Sequence, residues 1–247
     1  MIMERFISVP NLPDGKVTLA AVGAYPEITE ALQKEGIKTV SFVNSTLPAE
    51  ISKHQDMLLC HIGDCHIFAD PSLDVSCLTE LGFSVYSSVG IMSEYPFDVK
   101  LNVAVSDDYY ICNSKHIDKH LSQRLILSGR QSIHTNQGYA KCSVCFVTNK
   151  AVITDDLSIY KALKNTPCDV LLISKGDIYL SDKHVGFFGG STGKIDKNTL
   201  AVTGSLRYHR DETAILQFCE KHEVQVKELT EGRITDIGGI LPLTEGY

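Results

Sequence analysis

No apolar run in this 247-residue chain approaches the roughly 20 residues that a membrane-spanning helix needs, so no membrane association is expected. The N-terminal MIMERFISVPNLPDG lacks the apolar core of a secretory signal, which makes the cytoplasm the expected location. There the 8 cysteines are expected as reduced thiols, most of them sitting in strand or helix patterns as small apolar side chains. No Pro/Ser/Gly-rich linker, charge block or low-complexity stretch interrupts the chain, and residues 1–247 read as one domain. No basic stripe offsets the formal charge of −7, which argues against nucleic acid as a partner. No GxGxxG is present, and GFFGGSTGK fails as a phosphate loop because Phe188 holds the first glycine position and Ile195 follows Lys194. Cys142 and Cys145 form the one CxxC, without the second pair that a zinc site needs. In CHIGDCH, a turn at Gly63 and Asp64 would set His61 opposite His66, two histidines without an assured third ligand. Neither a metal nor a cofactor is expected.

What the chain does have is a repeated unit. Five segments carry a helix followed by a short strand: AYPEITEALQKEGIKTVSFV, DPSLDVSCLTELGFSVYSSV, NSKHIDKHLSQRLILSGRQSIHT, TDDLSIYKALKNTPCDVLLIS and HRDETAILQFCEKHEVQVKEL. Each opens at a turn or cap residue (Pro26, Asp70, Asn113, Asp155 with Asp156, Asp211) and places apolar residues at helical spacing, as in Ile28 and Leu32 or Ile159 and Leu163. Ahead of four of them lie hairpin candidates, MLLCHIGDCHIFA, LNVAVSDDYYICN, CSVCFVTNKAVIT and GGSTGKIDKNTLAVTG. The first helix lacks a complete hairpin, and DIGGILPL near the C-terminus can pair with KVTLAAVG near the N-terminus to supply it. Units that cannot bury their apolar faces alone gain two neighbours each in a ring, and no sheet edge is left open. The expectation is an α/β fold, a five-bladed α/β propeller with a pseudo-fivefold repeat closed by N- and C-terminal strands. A doubly wound sheet is the alternative, since VTLAAVG, a helix and IKTVSFV mimic a βαβ start, but tight hairpins recur where parallel folds need crossovers.

In such a ring the segments leading into the hairpins converge on the axis. They are KHQDM, PFDVKLN, NQGYAKC, HVGFFGGSTG and TDIGG, and they supply His54, Asp56, Asp98, Asn102, Gln137, Lys141, Cys142, Ser191, Thr192 and Asp236. Such a set makes either a ligand site or a buried polar network that fixes the register of the blades. His54 and Asp56, at i and i+2 on an extended segment, would share a face, letting the carboxylate orient an acid/base imidazole; the plainer reading is a loop histidine and a turn aspartate. Cys142, expected at a strand start, is the candidate nucleophile, and Cys145 reads as a core residue. Asn102, Gln137, Lys141, Gly190, Ser191, Thr192 and Asp236 are candidates for ligand binding, with Gly189 and Gly190 letting the backbone approach the axis.

Five units about a polar axis resemble the pentein fold of the guanidino-group-modifying enzymes, and the strings PNLPDGKV, HQDM, QGYAKCS, GFFGGSTG, TGSL and DIGGILPL resemble an uncharacterised bacterial family assigned to that fold. The resemblance implies an axial pocket, with Asp56 and Asp236 as carboxylates for a cationic or hydrogen-bond-rich small ligand. It also implies a nucleophilic cysteine in the Gly-rich segment that DIGGILPL matches, yet residues 236–243 contain none and the last cysteine is Cys219. Two functions follow: a hydrolase or transferase on a small guanidino or other nitrogenous metabolite, with His54, Asp56 and Cys142 as its catalytic set, or a non-catalytic propeller that senses a ligand or binds protein. The oligomeric state is not legible.

Overall fold

The computed structural model describes residues 3–246. The first unit comprises β1 (Glu4–Phe6), β2 (Lys16–Ala21), α1 (Pro26–Lys34) and β3 (Lys38–Val40). The second holds α2 (Gln55–Leu58), β4 (Leu59–Gly63), β5 (His66–Ala69), α3 (Ser76–Glu80) and β6 (Ser84–Ser87). The third holds β7 (Ala104–Val105), β8 (Tyr109–Cys112), α4 (Lys119–Leu127) and β9 (Gln131–His134), and the fourth β10 (Val144–Thr148), β11 (Ala151–Thr154), α5 (Leu157–Leu163) and β12 (Asp169–Leu172). The fifth holds β13 (Thr192–Asp196), β14 (Thr199–Val202), α6 (Glu212–Lys221) and β15 (Gln225–Glu228), after which β16 (Leu241–Gly246) returns to the first.

These strands form five small sheets in a mixed α/β fold. In units two to five the first two strands are an antiparallel hairpin, and the strand after the helix joins the second one in parallel. The remaining sheet is built from both ends of the chain: β16 runs antiparallel to β2, with Leu241 opposite Ala21, and β3 is parallel to β2. The pairing expected between KVTLAAVG and the C-terminal segment is therefore present. Unforeseen is β1, which covers the outer edge of β16 and pairs Glu4 with Gly246.

Alternation along the strands explains how the sheets pack. Val144 and Phe146 of β10 face the third unit, with Ala104 and Ile111, while Cys145 and Val147 face the fifth, with Leu200 and Val202. The same division places Cys60 and Phe68 against Val105 and Tyr110, and Leu59 and Ile67 against Leu19 and Leu241. The last cluster joins Ile195 and Ala201 of the fifth unit to Val17 and Ala20 of the first. The inner strands of each sheet are buried on both faces and read as nearly continuous apolar runs, whereas the outer strands β3, β6, β9, β12 and β15 are half-buried or exposed.

Helix ends follow local chemistry. Asp156 caps α5 by accepting from the Ser158 and Ile159 N–H groups, and Gly36, Gly82 and Gly129 close α1, α3 and α4 at positive φ. Two helices begin later than their first turn residues suggest. Asp70 accepts from the Ser72 and Ile91 backbone N–H groups and ties down a loop, so α3 starts at Ser76; Asp118, rather than Asn113, caps α4.

The second hairpin departs from expectation. A register shift after His61 sets His61 opposite Ile67 and Gly63 opposite His66, with Asp64 and Cys65 at the turn, so the two histidines do not face each other. Among the described residues no group of three His, Cys, Asp or Glu side chains gathers to hold a metal, and no helix is long and apolar enough to cross a membrane. His61 is buried, with Nε2 2.8 Å from the Asp64 carbonyl, and burial pushes its pKa down to about 4. The unfolded chain binds a proton near pH 6.5 that the folded chain refuses until about pH 4, so stability is full above about pH 6.5 and falls as pH drops through that window. The expected loss is about 3 kcal/mol. Urea melts at pH 7 and pH 4.5 on the wild type and on His61→Gln check this: the variant loses less over the interval.

Candidate active site

The five lead-in segments meet at one cavity of about 290 Å³. The first contributes His54 and Met57, the second Asp98, the third Tyr139 and Cys142, the fourth Phe187 and the fifth Asp236.

His54 is the residue before α2, held in extended conformation, and Asp56 lies inside the helical turn. The expected extended His-x-Asp geometry is thus replaced by a helix, because the intervening Gln55 is fully buried and binds the Phe42 backbone through both ends of its amide. The partner of His54 is instead Asp236, whose Oδ1 stands 3.6 Å from Nδ1; both side chains are almost wholly buried. Asp236 accepts from the Gly238 N–H at 3.0 Å and the Phe187 N–H at 2.9 Å. Burial raises its pKa, and the charge of Asp56 adds to the rise against His54 and those two N–H groups. Gly190 makes this position possible, since a Cβ there would lie 2.1 Å from Asp236 Oδ1.

Asn102 ties the second and third segments to the first. Its Oδ1 accepts from the Lys141 N–H at 2.7 Å and the Cys142 N–H at 3.3 Å. Its Nδ2 donates to the Asp56 carbonyl at 3.1 Å and lies 3.0 Å from Cys142 Sγ. Cys142 is not at a strand start: it belongs to the turn that precedes β10. That turn frees it from strand alternation and aims the thiol at the cavity, while Cys145 on β10 packs in the core between units four and five. Burial pushes the Cys142 pKa well above the ordinary thiol value, and the carboxylates of Asp56 and Asp236 push it further. Asp98 receives a 2.6 Å hydrogen bond from the Tyr139 hydroxyl through Oδ2, and burial lifts its pKa despite that bond. Several polar atoms have no hydrogen-bond partner: Asp98 Oδ1, both Asp56 carboxylate oxygens and His54 Nε2.

Other residues singled out from the sequence lie elsewhere. Gln137 binds Asp156 at 2.9 Å and the Tyr139 N–H at 3.1 Å, which shapes the loop and does not line the cavity. The Ser191 and Thr192 hydroxyls donate to the Phe188 and Gly189 carbonyls, closing the short 3-10 turn at Gly189–Ser191. Lys141 is buried beside Gly239.

Sequence reasoning missed the aromatic wall. The rings of Tyr95, Tyr139 and Phe187 follow one another at centroid distances of 5.9 Å and 5.9 Å. It also missed the contact at the mouth, where His184 Nδ1 and Glu50 Oε1 are 2.8 Å apart. Tyr139 and Phe187 sit within the lead-in strings and were discoverable there; Tyr95 and Glu50 come from loops whose convergence only the fold reveals.

In chemical terms the cavity offers acceptors, a thiol and two imidazoles, and among the described residues no lysine or arginine lines it. No curated protein matches the chain. Solved structures do. An inosamine-phosphate amidinotransferase from Streptomyces griseus is similar over 96% of each chain, with a TM-score of 0.59 at 13% identity. An amidinotransferase of saxitoxin biosynthesis from Microseira wollei is similar over 94% of this chain and 92% of its own, with a TM-score of 0.56 at 8% identity. The agmatine deiminase of C. jejuni is similar over 92% of this chain and 91% of its own, with a TM-score of 0.54 at 10% identity. Since these likenesses bring the pentein architecture to the five sheets already described, and the model of the family of unknown function DUF6873 matches residues 21–241, the chain belongs to that family and has the fold of the guanidino-group-modifying enzymes.

Proposed function

We propose that the five sheets close into a five-bladed α/β propeller, and that its axial cavity binds a small guanidino or similarly nitrogen-rich cation and hydrolyses it or transfers its amidino group through Cys142. The observation that carries this reading is Asp98 Oδ1, a buried carboxylate oxygen on the cavity wall without a donor, together with the Asp236 carboxylate and the Cys142 thiol on the same wall; Asp56 does not line the cavity and adds its charge from beside the thiol. Buried acceptors of this kind are costly unless a ligand supplies hydrogens, and a planar cation with several N–H groups supplies both hydrogens and charge. The sheet packing supports the ring, because the last apolar cluster joins unit five to unit one.

The thiol is the point of the chemistry. Burial, and after it the charges of Asp56 and Asp236, keep it protonated. A bound cation offsets both carboxylates, so ionisation of Cys142 depends on occupancy. Cys142 passes its proton to His54 Nε2, the Sγ electron pair forms a bond to the central guanidino carbon, and one C–N bond breaks. The departing nitrogen takes a proton from His54 Nε2, the ring being oriented through Nδ1 by Asp236. Addition of water or of an acceptor amine to the same carbon breaks the S–C bond and returns the thiol. The similar amidinotransferases and the agmatine deiminase make guanidino chemistry the natural class to test first. A second reading, a ligand sensor or protein-binding propeller, is favoured by the lack of cysteine in residues 236–243.

Calorimetric titration with agmatine, L-arginine and methylguanidine, followed by intact mass and product analysis, tests the proposal. Binding is expected, with a covalent adduct on Cys142 and released amine or ammonia. Cys142→Ala should bind without adduct or product, and Asp98→Asn should bind about 10- to 100-fold more weakly. Binding without adduct in the wild type would select the sensor; no binding of any guanidino compound would remove both the ligand class and the chemistry.

A further inference from the structure

Lys194 stands on β13 between the fourth and fifth sheets, and only 2% of it is exposed. Its Nζ donates to the Val147 carbonyl at 3.2 Å, at the point where β10 shifts register between Phe146 and Thr148. Among the described residues no carboxylate comes within ion-pair reach of it, which is unusual for a buried lysine. A cavity of about 350 Å³ begins at this amine, walled by Val9, Leu12, Val147 and Val224. Asp14 and Lys197, with side chains 66% and 63% exposed, stand at its rim and show that it opens to solvent. It shares no lining residue with the candidate active site.

We propose that Lys194 is a second reactive site, an imine-forming amine that captures a small uncharged aldehyde in this cavity. A buried ammonium held by one neutral carbonyl is poorly compensated, and burial pushes the Lys194 pKa down to about 8. At pH 7 about a tenth of such amines are neutral, against about one in 2,500 for a lysine near pKa 10.4. The valines and Leu12 make the apolar part of the wall, Asp14 pairs with Lys197 at the rim, and the exposed Asp107 adds negative charge there, so an anionic aldehyde is disfavoured and an uncharged one fits. In the step, the Nζ pair forms an N–C bond to the aldehyde carbon and the C=O π pair moves to oxygen, which takes a proton. Loss of water, with the second proton leaving nitrogen, forms C=N. No oxidant or reductant is needed.

The test is trapping with propionaldehyde and sodium cyanoborohydride on the intact protein near pH 7, with peptide mapping of N-propyl lysines. Lys194 is expected to be modified at least about 10-fold faster than Lys197, at a rate that rises to about pH 8 and then levels. Lys194→Arg should abolish this fast site and leave the other lysines unchanged. Lys194→Met, which keeps the stem and removes the charge, should melt no lower than the wild type. Modification of Lys194 no faster than Lys197 in protein that remains folded would overturn the proposal.

Discussion

Gly238→Ala will cost the fold at least about 3 kcal/mol, whereas Gly129→Ala, at a similarly positive φ, will cost only about 1 kcal/mol. The two glycines have φ of +76° and +86°, so the backbone term is shared and the difference isolates contact. A Cβ at Gly129 would meet nothing within 4 Å. At Gly238 it would lie 2.3 Å from His54 Cα and 2.4 Å from His54 Cβ, against the main chain of another segment that cannot swing aside. The Gly238 carbonyl also accepts from the Asp56 N–H at 3.1 Å, and its own N–H donates to Asp236. Relief of the clash must therefore part the first and fifth lead-in segments and break the His54–Asp236 contact. By the usual scaling for a chain of this size the melting temperature falls by about 6 to 12 °C in Gly238→Ala and by about 2 to 4 °C in Gly129→Ala. Equal shifts in thermal melts of the two variants would mean that His54 and Gly238 are not in contact.

The same residue shows what the sequence could and could not disclose. Paired glycines at Gly189–Gly190 and Gly238–Gly239 are visible in the chain, and their role in close approach follows from having no Cβ. What each one approaches is a tertiary fact: Gly238 faces His54, and Gly190 faces Asp236. The hairpin, helix and parallel-strand repeat was legible because periodicity and turn chemistry are local. Even the pairing of the two chain ends was legible, because only one unit lacked a hairpin. The His54–Asp56 pairing was not, since buried hydrogen bonds from Gln55 to Phe42 turn an apparently extended segment into a helical one. Cys142 was chosen as the start of an expected strand, but it lies in the turn at 140–143, and that turn is what brings it to the cavity. Ser191 and Thr192 looked like ligand donors because their use by the Phe188 and Gly189 carbonyls requires a 3-10 turn that no periodicity announces.

Asn102 is where the second large effect is expected. Asn102→Ala strands the Lys141 and Cys142 N–H groups and the Asp56 carbonyl in an interior where Asn102 itself is 1% exposed. Each buried group left without a partner costs about 1 to 3 kcal/mol, and because the three share one side chain their sum is not additive. A loss of about 3 to 5 kcal/mol follows, enough to threaten folding at physiological temperature. Asn102→Asp separates the two halves of the amide. The introduced carboxyl keeps the acceptors for Lys141 and Cys142 but loses the donor to the Asp56 carbonyl, and it adds negative charge beside a thiol already held protonated by burial and by Asp56 and Asp236. Burial disfavours that charge, so the folded state holds the proton more tightly than the unfolded state, and stability falls as pH rises through and above the ordinary carboxyl range. Denaturant melts at pH 5 and pH 8 therefore distinguish the variants. On going from pH 5 to pH 8, Asn102→Asp should lose at least about 1 kcal/mol relative to the wild type's own change, while Asn102→Ala should follow the wild type's pH dependence from a lower baseline. If Asn102→Ala melts within about 1 kcal/mol of the wild type, the side chain is not the tie among the first three segments, and another contact must hold Cys142 against the cavity.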